Sequence, residues 1–177
     1  MDSINKQVKL GVFRSDDLES ILSAHNSTEL KELTLSYPFP VSLQAAKDWL
    51  NSRLVASTNF PIQINLAIRE NETNNLEGYV NLSNIDWISK TAEIEIVIFN
   101  FKSFAGVGSE IFAQVRELAF KNYSLRKLYA WVIENNTNST NFFIKNGFVL
   151  EAKLEEFKLI GEDYLGVNIF ALKNAPK

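Results

Sequence analysis

Cysteine is absent from this 177-residue chain, and histidine occurs once, as His25. Without thiols there can be no disulfide, no thiolate metal site and no cysteinyl covalent intermediate. One imidazole leaves no multi-histidine zinc site and disfavours a serine–histidine triad, so the chemistry is expected to use carboxylates, hydroxyls, backbone dipoles or a cofactor, with no metal. Glycine (7) and proline (4) are sparse and form no linker or repeat, so positions 1–177 read as a single domain. At 46% hydrophobic and 22% charged, the chain can fill one core. No apolar run approaches membrane-spanning length, and Met1-Asp-Ser-Ile-Asn-Lys6 has no apolar signal region; the expectation is a cytoplasmic protein without a membrane partner. Asn26-Ser-Thr28 and similar triplets are then chance matches to a glycosylation acceptor. The net charge of −3 is spread over both signs, and no basic cluster interleaved with aromatics occurs, which argues against nucleic acid.

Gln7 to Phe13 alternates as an opening strand. Ser15-Asp-Asp17 then caps a helix carrying Leu18, Ile21 and Leu22. Tyr37-Pro-Phe-Pro40 must be extended, because each proline disfavours helix in its predecessor. Ser42 caps a second helix through Ala45, Ala46, Trp49, Leu50 and Leu54. Three strands follow, Ile62 to Arg69, Leu76 to Trp87 and Thr91 to Phe99, with short polar turns that make them antiparallel hairpins. Helical spacing returns at Ile111, Val115, Leu118 and Ala119. Lys127 to Ile133 reads as a strand, Thr137 to Lys145 as a short helix, and Phe148 to Leu159 with Asp163 to Leu172 as a closing hairpin. The fold class is α/β (α+β), a mixed sheet with helices on both faces. His25 lies in a polar segment near a helix end and reads as a surface or capping residue.

Ser103-Phe-Ala-Gly106-Val-Gly108-Ser109-Glu110 is a glycine turn leading from a strand into a helix. Backbone N–H groups at such a helix start can hold a pyrophosphate without metal or lysine. Downstream stand Asn136-Thr-Asn-Ser139, Phe142-Phe143 and Gly147-Phe148; upstream stand Tyr37-Pro-Phe-Pro40, Gly78-Tyr79-Val80 and Ile85-Asp86-Trp87 before Ala92-Glu93. In this order, and from about Gln7 to about Leu172, the chain resembles the GNAT superfamily of acetyl-CoA-dependent N-acetyltransferases. Within it the chain is similar to the branch of ribosomal-protein N-terminal, spermidine and amino-sugar-nucleotide acetyltransferases. Three positions depart from that pattern. Ser103 stands where the acetyl-CoA signature has Gln or Arg, Phe143 where many relatives have a tyrosine, and Leu165 or Gly166 where an aspartate is frequent.

The resemblance implies a mostly antiparallel sheet, splayed where acetyl-CoA binds as co-substrate. It further implies that the backbone of Val97, Ile98 and Phe99 pairs with the pantetheine arm, and that Ser103, Gly106, Val107, Gly108 and Ser109 hold the pyrophosphate. Asn136 then touches the cofactor, and Ser139 hydrogen-bonds the departing sulfur in place of the missing tyrosine. Tyr37, Phe39 and Trp87 would line the acceptor side. Glu93 and Glu95 leave one face of their strand while Ile94, Ile96 and Ile98 cover the other, so the carboxylates are expected to face a wet cleft. Glu93, which follows the alanine–glutamate step of the branch, is the expected base, with Glu95 binding substrate.

Deprotonating a lysine-like amine of pKa ~10.4 at neutral pH costs about 4–5 kcal/mol, whereas an α-amine of pKa ~8 costs about 1. The expected reaction is direct acetyl transfer to a primary amine in a ternary complex. Ile85-Asp86-Trp87-Ile88 and the modest charge favour an amino-sugar nucleotide as acceptor. A protein N-terminus, a polyamine, or a non-catalytic acetyl-CoA-binding module are the alternatives, with the molecule a monomer or homodimer. A dinucleotide site would need a longer glycine motif near the first strand of a parallel sheet.

Overall fold

Alternation decides how the central strands sit: Ala92, Ile94, Ile96 and Ile98 fall on one face of their strand, and Glu93, Glu95, Val97 and Phe99 on the other. The computed structural model of the chain describes residues 8–35, 40–54, 60–99 and 107–174. Its elements in order are β1 (Val8–Gly11), α1 (Leu18–Asn26), α2 (Thr28–Leu33), α3 (Leu43–Leu54), β2 (Ile64–Glu70), β3 (Leu76–Asp86) and β4 (Thr91–Ile98). Then come α4 (Val107–Glu117), β5 (Lys127–Ile133), α5 (Thr137–Lys145), β6 (Val149–Ile160) and β7 (Asp163–Lys173). A single tight turn, Ser15–Asp17, precedes α1, and α4 ends in a wider turn, Leu118–Asn122, closed by Tyr123 N–H donating to the Leu118 carbonyl.

The seven strands lie in the order β1-β2-β3-β4-β5-β7-β6. All neighbours are antiparallel except β4 and β5, which are parallel and joined through α4. That parallel pairing is short: Thr91, Ala92 and Glu93 oppose Lys127, Leu128 and Tyr129, and the ladder ends there. β4 stays paired with β3 up to Ile98, and β5 with β7 up to Ile133. The sheet therefore opens between Ile94–Ile98 and the second half of β5, as the resemblance implies.

One face of the sheet packs Ile94, Leu128, Ala130 and Val132 against Ile111, Phe112 and Val115 of α4 and Phe143 of α5. The other packs Ala67, Tyr79 and Val97 under Ile21 and Ala24 of α1, Leu30 of α2 and Leu50 of α3. Helix starts follow from caps. Ser42 Oγ accepts the Ala45 N–H at 3.1 Å, Ser27 Oγ the Leu30 N–H at 3.3 Å, and Asn136 Oδ1 the Ser139 N–H at 2.9 Å. The expected strands and the helix Thr137 to Lys145 are all present, within a few residues at their ends. The six-residue α2 is additional: it is too short for helical periodicity to show, and it follows α1 with only Ser27 between.

His25 is not at the surface. It is 1% exposed and sits edge-on to Trp49 (4.8 Å between ring centres) and Tyr79 (6.1 Å). Burial, reinforced by the Arg53 guanidinium, lowers its pKa to about 4.

Candidate active site

Where β4 and β5 part, a cavity of about 200 Å³ passes through the sheet. Ile96, Val97 and Ile98 form its strand wall, and Gly108 of α4 with Asn136, Asn138, Ser139, Phe142 and Phe143 closes one side. Leu30 and Thr34, at the end of α2, close the other. The cavity is thus lined from both faces of the sheet.

Backbone alternation assigns the strand wall. The Phe99 N–H donates to the Glu77 carbonyl at 2.9 Å, and a Cβ on Gly78 would lie 2.1 Å from the Val97 carbonyl oxygen. The peptide groups of Val97 and Phe99 therefore turn toward β3, and by the two-residue repeat those of Ile96 and Ile98 turn to the open side. Of the three expected strand residues, Ile98 alone has its peptide groups toward the gap; Ile96, which sequence reasoning missed, shares that orientation. An open strand edge of this kind fits an extended, amide-bearing chain, which can pair with it as a further strand would.

Val107, Gly108 and Ser109 form the first turn of α4, whose N–H groups lack partners within the helix. Gly108 has a packing reason as well: a Cβ there would meet the Phe142 ring at 3.1 Å and Ile98 Cδ1 at 3.7 Å. Glycine lets the helix start sit against both. Asn146 at the end of α5 ties the two helices by donating to Ser109 Oγ at 3.3 Å. Ser103 and Gly106, and Tyr37 and Phe39 on the acceptor side, lie outside the described residues.

Asn136 is buried at the start of α5 and places Ser139, half-buried, on the cavity wall. Phe143 is a core residue, packed on Phe148 (4.9 Å) and stacked on Phe170 (6.3 Å). Thr34 was also missed; its Oγ1 is buried at the cavity without a hydrogen-bond partner among the described residues.

Glu93 and Glu95 share the face covered by α1–α3, both half-buried. Glu95 is two residues from Val97 and Glu93 four, about 7 and about 13 Å along the strand. Glu93 accepts from Asn84 Nδ2 at 2.9 Å and lies opposite Tyr129 in the last pair of the parallel ladder. Burial first, and then the Glu93 charge, push the Tyr129 hydroxyl pKa up, so this phenol keeps its proton. Trp131 follows on the same face of β5, packed on Phe157 of β6 at 5.4 Å. Lys158 of β6 donates to the Leu35 carbonyl at 2.7 Å, bringing the closing hairpin against the end of α2. Trp87 is not with them. It is the first residue of the β3–β4 turn, at the far end of β4 from the cavity, edge-on to Phe60 and Tyr123, with Nε1 donating to the Pro61 carbonyl at 2.9 Å. No group of His, Asp or Glu among the described residues is arranged to hold a metal ion.

The model of the acetyltransferase (GNAT) domain matches residues 7–149. The chain belongs to the GNAT acetyltransferase family. It is thus an acetyl-CoA-dependent acyltransferase that acts on an amine. Similar proteins include a spermidine N(1)-acetyltransferase of Vibrio cholerae, 24% identical over 159 residues, covering 89% of this chain and 88% of the relative. The Bacillus subtilis protein YwnH, a candidate phosphinothricin acetyltransferase, is 23% identical over 160 residues, covering 83% of this chain and 93% of its own. Among solved structures, the Vibrio cholerae spermidine N-acetyltransferase in complex with CoA and spermine superposes with a TM-score of 0.83 at 22% identity, covering 96% of each chain. Among the described residues this GNAT chain has no helix long and apolar enough to cross a membrane.

Proposed function

We propose that this GNAT enzyme acetylates a primary amine of a diamine or polyamine, and that the amine approaches from the α1–α3 face while the acetyl donor lies in the gap between β4 and β5. The observation that carries the acceptor reading is the pair Glu93 and Glu95 on that face, with Tyr129 opposite Glu93, Trp131 two residues further along β5, and Glu95 next in the chain to Ile96 of the cavity wall. Two carboxylates beside aromatic rings attract an ammonium through charge and through the ring faces. The spermidine acetyltransferases among its relatives support the same class. The amino-sugar expectation rested on Ile85-Asp86-Trp87-Ile88 followed by Ala92-Glu93 and on the modest charge; the first of these segments serves the hairpin, where Asp86 Oδ1 accepts the Ile88 and Ser89 N–H groups at 2.8 Å each and closes the β3–β4 turn.

Acetyl-CoA supplies the acetyl group as a thioester, with a thiolate as leaving group. Ile96 and Ile98 present the strand edge that orients the pantetheine arm. The first-turn N–H groups of Val107, Gly108 and Ser109, with Ser103 and Gly106 just before them in the sequence, hold the pyrophosphate. Asn136 fixes α5 so that the Ser139 hydroxyl faces the sulfur and can give it a hydrogen bond. Glu95 is nearer the cavity than Glu93, which favours Glu95, directly or through one water, as the group that takes the proton from the reacting nitrogen. Glu93, held by Asn84, then draws the cation in. Removing a general base typically costs about 10²–10⁴-fold. Glu95→Gln is expected to lower kcat on a diamine by about 100-fold or more while leaving acetyl-CoA affinity unchanged by calorimetry, whereas Glu93→Gln mainly raises KM. The opposite pattern would return the base to Glu93, and unchanged kinetics in both variants would remove the pair from the mechanism.

A further inference from the structure

On the face that carries Glu95, the register places Asn81 of β3 directly beside it and Asn65 of β2 directly beside Asn81. Residues opposite one another on antiparallel strands point to the same side, so the three side chains form one row across three strands. On one side of the row is the apolar line Ala67, Tyr79 and Val97, packed under α1 and α3. On the other is the line Ser83, Glu93 and Tyr129. Asn65 and Asn81 are half-buried, and the amide oxygen of each is sealed from solvent without a hydrogen-bond partner among the described residues. Two neighbouring orphan amide oxygens are unusual, since buried polar groups are nearly always satisfied. Replacing both by apolar residues would remove the penalty, so their presence calls for a reason beyond the packing of the described residues.

We infer that Asn65 and Asn81 recognise a second, non-reacting ammonium group of the acceptor, while Glu95 at the end of the row next to the gap faces the reacting one. The inference rests on the acceptor reading above. An ammonium carries three N–H donors and no acceptor, and the row offers amide oxygens and a carboxylate. Among the described residues neither amide oxygen has a bond to lose, so each amide can turn its oxygen to the incoming cation. Adjacent strands lie about 4.8 Å apart, so Asn81 is one such step and Asn65 two steps from Glu95, leading away from the gap. A reacting amine at the edge of the gap would thus have its second amine, across a short alkyl linker, over the two amides. A monoamine would leave both oxygens unpaired.

The test is calorimetry in saturating CoA, with putrescine compared against n-pentylamine, in which a methyl group replaces the second amine. Wild type is expected to bind putrescine at least about tenfold more tightly, the scale of one charge-assisted hydrogen-bonded group. Asn81→Leu and Asn65→Leu, each of similar volume, are each expected to collapse that ratio toward one. Their melting temperatures should not fall, because an orphan amide is being removed, and two variants guard against one failing to fold. Equal binding of the two amines by wild type, no binding of either, or a ratio kept in both variants would overturn the inference. Thiol release is read separately: a diamine preference without turnover would leave the row in place and overturn the acetyl-transfer reading of this site.

Discussion

Gly78 shows how a single residue without a side chain shapes the cavity wall. A Cβ at that position would lie 2.1 Å from the Val97 carbonyl oxygen and 3.0 Å from Ile98 Cα, both backbone atoms that cannot rotate away. Gly78→Ala is therefore expected to destabilise the fold by about 1–3 kcal/mol, the usual cost of overpacking, and to weaken acetyl-CoA binding because Val97 and Ile98 line the cavity. Chemical denaturation and calorimetry read the two effects. His25 makes a second prediction at this scale. Its pKa falls from 6.5 to about 4 in the folded chain, so above 6.5 it is neutral in both states and adds no pH dependence. Below 6.5 the unfolded chain takes up the proton first, and stability falls until the folded form also titrates near 4, by about 3 kcal/mol in all. His25→Phe should flatten this part of the stability profile; an unchanged profile would assign the titration elsewhere. The same residue marks what sequence could not tell: a histidine between polar neighbours reads as exposed, and only the packing of α3 and β3 brings Trp49 and Tyr79 over it.

Among the elements, the first strand and the turn before α1 are held by a buried ion pair. Arg69 of β2 donates to Asp17 Oδ2 at 2.7 Å and to the Val12 carbonyl at 2.9 Å, with the pair's side chains 4% and 5% exposed. Asp17 also accepts the Arg14 N–H at 2.7 Å. Asp17→Ala would strand the guanidinium and is expected to cost about 3–5 kcal/mol in denaturant unfolding; a loss under 1 would show that water replaces the carboxylate. Element types and order were legible because periods of two and of helical spacing alternate cleanly from β2 to β7. The gap was legible only by resemblance, since the side chains of β4 and β5 alternate the same way whether or not the backbones pair. For the same reason the sequence could not tell Ile96 and Ile98 from Val97 and Phe99: peptide orientation is set by register with β3, to which side-chain pattern is blind. Thr34 was hidden for another reason, that a six-residue helix carries too few turns to show a face. Trp87 was misplaced because an aromatic after a strand reads alike whether it lines a cleft or closes a hairpin.

For the molecule as a whole, the opening between β4 and β5 joins two faces with different chemistry. The α4–α5 face brings a helix start and a strand edge, suited to phosphates and amides; the α1–α3 face brings Glu93, Glu95, Tyr129 and Trp131, suited to an amine. With no cysteine in the chain, and with the two substrates approaching from opposite sides as proposed, the acetyl group has no need to rest on the protein. The most direct test is steady-state thiol release with acetyl-CoA and putrescine both varied. The account predicts amine-dependent release and double-reciprocal lines that intersect, the signature of a ternary complex. Parallel lines, or no amine-dependent release from a protein that binds acetyl-CoA, would contradict it.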